Sequence, residues 1–462
     1  MLKHPSLKYG ILDLGFALLQ FNCKAAEDEE RVRGGVNKAK IIFALGLTWL
    51  LGSGLIGCAP QTSEPITITM VTGTVGKEFE VLQAQVSQFE AQHPGIRVEL
   101  LDLPESTNDR REAYIRRLEQ RDPTIDIYTI DIIWTPEFGA RGWTIPLDEF
   151  VTDNGINIAD FLPGIVQGNT WNGRLVSMPW FTDAGVLYYR QDLLDKYQVD
   201  VPRTWAELIE ISKNILEGEK ETSPNMVGFV FQGRQYEGLV TNYLEYVWSN
   251  GADALNETGD QVILNSPETV EALEIFSSMV EIAPVGVTSF QEADALNYFQ
   301  SGNAIFMRNW PFAWAVLNDD DSPVKGQVGL APLPHAPHGN SASTLGGWQL
   351  GISAYSQHPV EAFQLIAFLT SFEQQNYKAI HAAHNPTRWA SYQDQAVLTA
   401  NPHMDKLFEV FIKAKPRPVH PRYPEISEII QREVHSVLTN QQDAATATKI
   451  MAADIQAIIS DR

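Results

Sequence analysis

Cysteine is nearly missing: the 462 residues contain only Cys23 and Cys58. One of the two lies in a leading stretch set aside below, so the working chain can form no internal disulfide and no thiolate zinc site. Basic residues are scarce too, 34 Lys and Arg against 57 Asp and Glu, for a net charge of −23. That sign is repelled by phosphates and excludes nucleic acid as a partner; by itself it implies solubility rather than a cation site. After Cys58 no run supplies the roughly 20 apolar residues of a membrane span. Cofactor and metal signatures are lacking as well. Gly52-Ser53-Gly54-Leu55-Ile56-Gly57 matches a dinucleotide fingerprint but has no strand–helix context. No Walker phosphate loop occurs. Asp153-Asn154-Gly155-Ile156-Asn157 lacks the glycine and the terminal glutamate of a calcium loop. His381 and His384 read as sharing a helix face, without a third ligand. No metal and no cofactor is expected. Asn256-Glu257-Thr258 has the form of a glycosylation acceptor, with no weight attached.

What is present begins with a leader. Lys38 and Lys40, the apolar run Ile41 to Leu51 and the small residues up to Cys58 have the order of a secretory signal. Residues 1–35 do not fit it, because Glu27-Asp28-Glu29-Glu30 stands where basic residues belong; translation is expected to begin at Val36. Residues 1–57 are therefore set aside as signal peptide, and 58–65 as a polar tether. Leu55-Ile56-Gly57-Cys58 resembles the lipobox of bacterial lipoproteins. That resemblance implies a lipidated Cys58, cleavage before it, and anchoring outside the cytoplasmic membrane by more than one acyl chain, each buried methylene contributing roughly 0.8 kcal/mol. The remaining 405 residues (462 less 57) carry 27 Lys and Arg against 52 Asp and Glu, enough chain for two or three domains' worth of core.

Ile66 to Val71 alternates β-formers and reads as a first strand. A Gly-containing turn, Gly73 to Glu78, leads into Phe79, Leu82, Val86 and Phe89 at helical spacing. His93-Pro94-Gly95 stops that helix, and Ile96 to Leu100 is a second strand. Strand–helix–strand with a short return predicts a parallel α/β sheet. A helix around Arg110 to Gln120 and a β-rich run from Ile125 to Ile130 follow. Trp205 to Leu216, Leu239 to Trp248 and Pro267 to Ile282 read as helices. The Pro-rich stretches Ala331 to Pro337 and Pro416 to Pro424 look like crossings between units.

The order of these elements resembles the extracellular solute-binding proteins of bacterial ABC importers, in the branch of the trehalose- and maltose-binding proteins. The shared stretches are Asp131 to Gly139, Gly185 to Arg190, Phe306 to Pro311, Pro332-Leu333-Pro334, Leu345 to Trp348 and Arg417-Pro418. The resemblance implies the periplasmic-binding-protein fold, two α/β lobes with a hinge and a ligand cleft. Residues 66–182 plus 336–377 are expected to form one lobe, and 183–335 plus 378–462 the other. The crossings fall near Asp183, His335 and Tyr377.

A sugar needs acceptors and donors for its hydroxyls and flat rings for its C–H faces; carboxylates, arginine forks and indoles supply these. Glu78, after the first strand's glycine turn, and Asp131, at the end of an apolar run, occupy strand-end positions that face the cleft in open α/β sheets; the alternative for Glu78 is an acidic first-turn residue and for Asp131, where the cleft is favoured, a helix cap. Asp183 would be costly to bury unpaired and so is expected to face the cleft. Trp310 and Trp348 are the stacking candidates implied by the resemblance, whereas Trp134 and Trp248 are read as core. Gly347 beside Trp348 permits close backbone approach. Phe181 stands where those relatives have Tyr. Arg417, held between prolines, resembles the family's sugar-contacting arginine. Arg110 resembles a further one, with Arg111 as the competing choice.

The expected function is a binding protein, not an enzyme. It would capture a sugar or sugar-like solute such as trehalose, maltose, sucrose or glucosylglycerol and deliver it to ABC permease subunits as a membrane-anchored monomer. A secreted carbohydrate-active enzyme using Asp131 and Asp183 is the alternative, and a polyamine-binding protein a weaker one, which the two arginines oppose.

Overall fold

In a computed structural model, residues 64–73, 76–256 and 260–461 are described. The leader, Cys58 and most of the possible acceptor Asn256-Glu257-Thr258 lie outside them. The described residues belong to one compact unit that runs from Ser63 onward.

Its first sheet is built from β1 (Ile66–Thr72), β2 (Ile96–Asp102) and β3 (Ile127–Asp131). Alternation in β1 points Ile68 and Met70 into one core and Val71 into the other. The helix Glu78–Gln92 returns the chain so that β2 lies parallel to β1, register Ile66 to Ile96. β3, parallel to β1, is buried along its whole length, which is why its run lacks a polar alternation. A short hairpin, β4 (Thr170–Trp171) and β5 (Arg174–Leu175), precedes β6 (Met178–Ala184). One residue later β7 (Val186–Arg190) starts a second sheet with β8 (Val227–Val230), β9 (Ala304–Asn309) and β10 (Val328–Ala331). β11 (Leu345–Ile352) then returns to the first sheet and inserts antiparallel between β3 and β6. The strand orders are β2-β1-β3-β11-β6 and β10-β7-β9-β8. Each sheet is covered by helices, giving two α/β lobes.

Helices form where the apolar spacing placed them, with local reasons for their ends. Thr204 and Glu207 make a reciprocal capping box at the start of Trp205–Glu219. The pattern from Pro267 is α-helical to Ser278 and then tightens into a 3₁₀ turn, Met279–Ile282, two residues ahead of Pro284. The helix Phe372–Ala382 stops at Ala383, which is left-handed at φ 54°. His384 therefore lies past the helix end and does not share a face with His381, contrary to the sequence expectation.

Three stretches between the lobes run side by side. Gly185 joins β6 to β7. Ser343 Oγ donates to the Gly185 carbonyl (2.7 Å), and Thr344 bridges to Lys415. Glu245, on the helix Glu237–Ser249, lies beneath all this: its Oε1 accepts from Thr344 N (3.1 Å) and from Arg308 Nη2 (2.6 Å). A side chain at position 185 would place Cβ 2.0 Å from that same oxygen and 2.5 Å from Arg308 Nη2, so anything larger than glycine must displace the pair. The chain between the second and third stretches stays with β6 for some distance: Asn385 bridges to Thr182, and the helix Met404–Lys413 packs on β6. The helix Tyr423–Leu438 then packs against Glu237–Ser249 and Pro267–Ser278 of the second lobe.

Candidate functional site

Between the lobes lies a cleft with about 750 Å³ of empty space, part of it open to solvent. All nine residues singled out from the sequence line it: Glu78, Arg110, Asp131, Phe181, Asp183, Trp310, Gly347, Trp348 and Arg417.

The first lobe supplies its groups from strand ends and the helices that follow. Asp131 ends β3 and does two things at once. Its Oδ1 caps the next 3₁₀ turn by accepting from Ile133 N (3.3 Å), and it accepts from Arg417 Nη2 (3.0 Å). Glu78 opens the helix after β1 and is buried near Arg110; a Cβ on Gly73 would touch both side chains at 3.0–3.3 Å. Arg110 Nε donates to the Pro104 carbonyl (3.0 Å), and its guanidinium lies 4.8 Å from the Trp348 ring centroid. Its neighbour Arg111 points elsewhere, into a two-pronged ion pair with Glu137 at 2.9 and 2.6 Å. Geometry thus separates the two arginines that sequence left in competition.

β6 and β11 shape the floor. Trp348 pairs with Phe181 and Gln349 with Pro179, so Trp180 is skipped and β6 bulges. A bulge re-aims the side chains beside it. Gly347 has φ 115°, and a Cβ there would lie 2.4 Å from the Phe181 carbonyl oxygen; no other residue fits. Trp348 is half-buried, its ring edge-on to the core residue Trp134 at 5.5 Å. Trp310, also half-buried, carries the Arg308 guanidinium 4.0 Å from its ring centroid and donates Nε1 to Glu292 Oε1 (3.3 Å). Trp134 and Trp248 are both buried, as read.

Several lining groups had no sequence signal. Glu237 begins a helix, ahead of the run from Leu239 read as helical, and accepts from Arg417 Nη1 (2.9 Å), Tyr423 (2.7 Å) and Ser427. Glu292 likewise opens a helix and accepts from Tyr236 (2.6 Å). Glu105 and His384 also line the cleft.

The electrostatics divide the cleft. At one end burial works against the charge of Arg417, but Asp131 and Glu237 outweigh it and hold the guanidinium more firmly protonated than usual. Burial pushes the Glu237 carboxyl up, against the pull of Arg417. At the other end Asp183 is 7% exposed, and its Oδ1 has no hydrogen-bond partner. Burial, reinforced by Glu78, pushes its carboxyl well above the usual range, while Lys378 and Arg308 pull the other way. Burial drives His384 well below the usual imidazole range, so it stands neutral. The lobes also touch beside the cleft: Asn108 accepts from Glu237 N (3.1 Å) and donates to Gln431 (3.1 Å).

Residues 73–376 match the model of a family described as bacterial extracellular solute-binding protein. The chain is similar to a probable ABC transporter-binding protein of Deinococcus radiodurans, 36% identical over 414 residues, 88% of this chain and 97% of that one. Among solved structures, maltose-bound MalE3 of T. maritima aligns with a TM-score of 0.82 and 46% identity over 85% of this chain and all of its own. A solute-binding protein of Thermotoga lettingae bound with alpha-D-tagatose, 24% identical over 86% of this chain and 100% of that one, shares the fold at a TM-score of 0.78.

Proposed function

The chain belongs to the bacterial extracellular solute-binding protein family, and on that premise we propose that it captures a maltose-like disaccharide and hands it to the membrane subunits of an ABC importer. The observation that carries this reading is the composition of the cleft. Two half-buried indoles, Trp310 and Trp348, stand beside the carboxylates of Glu78, Asp131 and Asp183, and Arg417 pairs with both Asp131 and Glu237. Rings would take the C–H faces of the sugar, and Glu78, Asp131 and Asp183 would accept from its hydroxyls. The likeness to a maltose-bound protein at 46% identity favours maltose over trehalose, sucrose and glucosylglycerol. Phe181 presents no hydroxyl, so specificity there rests on shape.

Asp131 speaks against a glycosidase. One of its oxygens is already committed to Arg417 and a backbone amide, which suits a fixed acceptor better than an acid that must exchange protons.

We place the hinge at Gly185, Ser343-Thr344 and Lys415, so the third crossing lies later than Tyr377. Ligand would favour the closed lobes only by as much as it binds them better than the open ones. The leader and Cys58 would export the protein and anchor it by lipid at the outer face of the membrane, where it works as a monomer.

Tryptophan fluorescence of the purified protein, titrated with maltose, trehalose, sucrose, glucosylglycerol and spermidine, tests the reading. A saturable response to maltose with the sugar recovered intact is expected. Hydrolysis, or a response to spermidine alone, would overturn it.

A further inference from the structure

Trp310 is held on three sides. The Arg308 guanidinium covers one face, 4.0 Å from the ring centroid, and Arg308 is itself fixed by Glu245. The far edge of the ring lies against Gly346 of β11, where a Cβ would come within 3.1–3.3 Å of it. On the pyrrole edge, Nε1 donates to Glu292 Oε1 (3.3 Å), and the Trp310 carbonyl accepts from Tyr188 Oη (2.9 Å). A ring held in one orientation costs a stacking ligand less ordering than one free to turn.

Glu292 opens the helix Glu292–Gln300 and lines the cleft, yet both its carboxyl oxygens are engaged within the protein. Oε1 takes the indole, and Oε2 accepts from Tyr236 Oη (2.6 Å). The Glu292 carbonyl accepts from Asn309 Nδ2 (3.1 Å), which ties this helix to the strand leading into Trp310. Tyr236 is 2% exposed and lies outside the cleft lining. Its phenol passes over Gly238, where a Cβ would run into the ring, so the glycine leaves the path to Glu292 open. One helix start thus reaches two groups of the cleft: Glu237 holds Arg417, and Tyr236 beside it steadies Glu292. Tyr236, Glu292 and Arg308 stand on elements of the second lobe, as Trp310 does, so the clamp does not depend on closure.

We infer that Glu292 is a positioning residue for stacking: braced by Tyr236, it fixes the plane of Trp310 from the edge, so that the ring meets an incoming sugar already oriented. Glu292 acts through Trp310 and not on the ligand. Without the Tyr236 hydroxyl, Glu292 keeps its place in the lining but loses the bond that aims it. Without Glu292, the indole loses its edge acceptor and is free to tilt about its side-chain torsions. The inference rests on the proposed function for the identity of the stacked ligand; the clamp itself belongs to the ligand-free protein.

The test uses the full chain as wild type, Tyr236→Phe, Glu292→Gln, Glu292→Ala, Trp310→Phe and the double variant Tyr236→Phe with Trp310→Phe. In ligand-free protein, NMR of the indole N–H groups identifies the Trp310 signal by its loss in Trp310→Phe. That signal is expected to shift or broaden in Tyr236→Phe and in Glu292→Ala, and to stay closer to its wild-type position in Glu292→Gln, which keeps an acceptor. Maltose affinity is expected to fall roughly three- to tenfold in Tyr236→Phe, although no lining group is removed. The same change made in Trp310→Phe is expected to cost less than about twofold, because the indole N–H it acts through has gone. An indole signal unmoved in both Tyr236→Phe and Glu292→Ala overturns the inference, whether or not any sugar binds. A signal that moves while maltose affinity holds, or equal losses of affinity in the two backgrounds, overturns the positioning role. Failure of the wild type to bind any sugar defeats the functional reading instead, and the indole signal still decides the clamp. If Glu292→Ala does not fold, Tyr236→Phe and Glu292→Gln are read in the same way.

Discussion

Two buried ionic clusters flank the same cleft, and they are built on opposite principles. Behind Trp310, Arg308 and Glu245 meet in a two-pronged pair at 2.9 and 2.6 Å, and Gln232 and Thr344 take up further donors and acceptors. Behind Phe181, Lys378 and Asp183 are equally buried but unbonded. Saturated charge is architecture: it fixes the hinge and has nothing left to offer a ligand. Unsaturated charge is stored capacity for a partner that arrives from outside.

The difference can be broken most sharply from the saturated side. Glu245→Leu leaves Arg308 buried without its counter-ion and is expected to cost about 3–5 kcal/mol in denaturant unfolding. A loss below 1 kcal/mol would mean that the pair does not hold the hinge. Gly347→Ala comes next. It forces Cβ into the Phe181 carbonyl at a left-handed φ, so a loss of roughly 1–3 kcal/mol is expected with no change in the chemistry of the cleft. Asp183→Asn sharpens the contrast, since it removes an unbonded group. Stability should change by less than about 1 kcal/mol, while maltose affinity in calorimetry should fall roughly tenfold or more, about 1.4 kcal/mol.

A further effect is read as a slope in pH and not as a single loss. Lys378 has a folded-state value of about 7 against an ordinary 10.5, so the unfolded chain holds its proton more firmly over that interval. Its penalty is complete below about 7 and fades as pH rises toward 10.5. Wild-type stability should therefore climb relative to Lys378→Met across that window; parallel curves would show that the amine is not depressed.

Much of the first lobe was legible because its signals are local. Alternation in Ile66 to Val71, helical spacing from Phe79 to Phe89 and the breaker His93-Pro94-Gly95 each act within a few residues. The cleft residues were harder. Asp131 was weighed as a helix cap or a cleft group, and geometry makes it both; Glu78 stands in the first turn of its helix, makes no cap, and lines the cleft. Arg110 was separated from Arg111 only by the remote Glu137, a partner that no window of sequence contains. Glu237 and Glu292 were hidden because a first-turn glutamate is ordinary on any helix. Lys378 was invisible for a plainer reason. It sits among polar neighbours, Gln374, Gln375 and Asn376, that are themselves buried, and a helix whose polar side faces inward inverts the pattern by which burial is read.

Glu245 touches the second crossing, lies under the first at Gly185, and through Thr344 reaches the third at Lys415. Three parallel straps held at one point leave a pair of rigid bodies a single easy coordinate, a bend about the line through that point; sliding or twisting would break all three at once. A molecule with one coordinate has no separate record of what it holds and how it is folded over it. On the proposed function, the angle between its halves would be the message, and a membrane complex that senses that angle would learn whether the cleft is full without ever contacting the ligand.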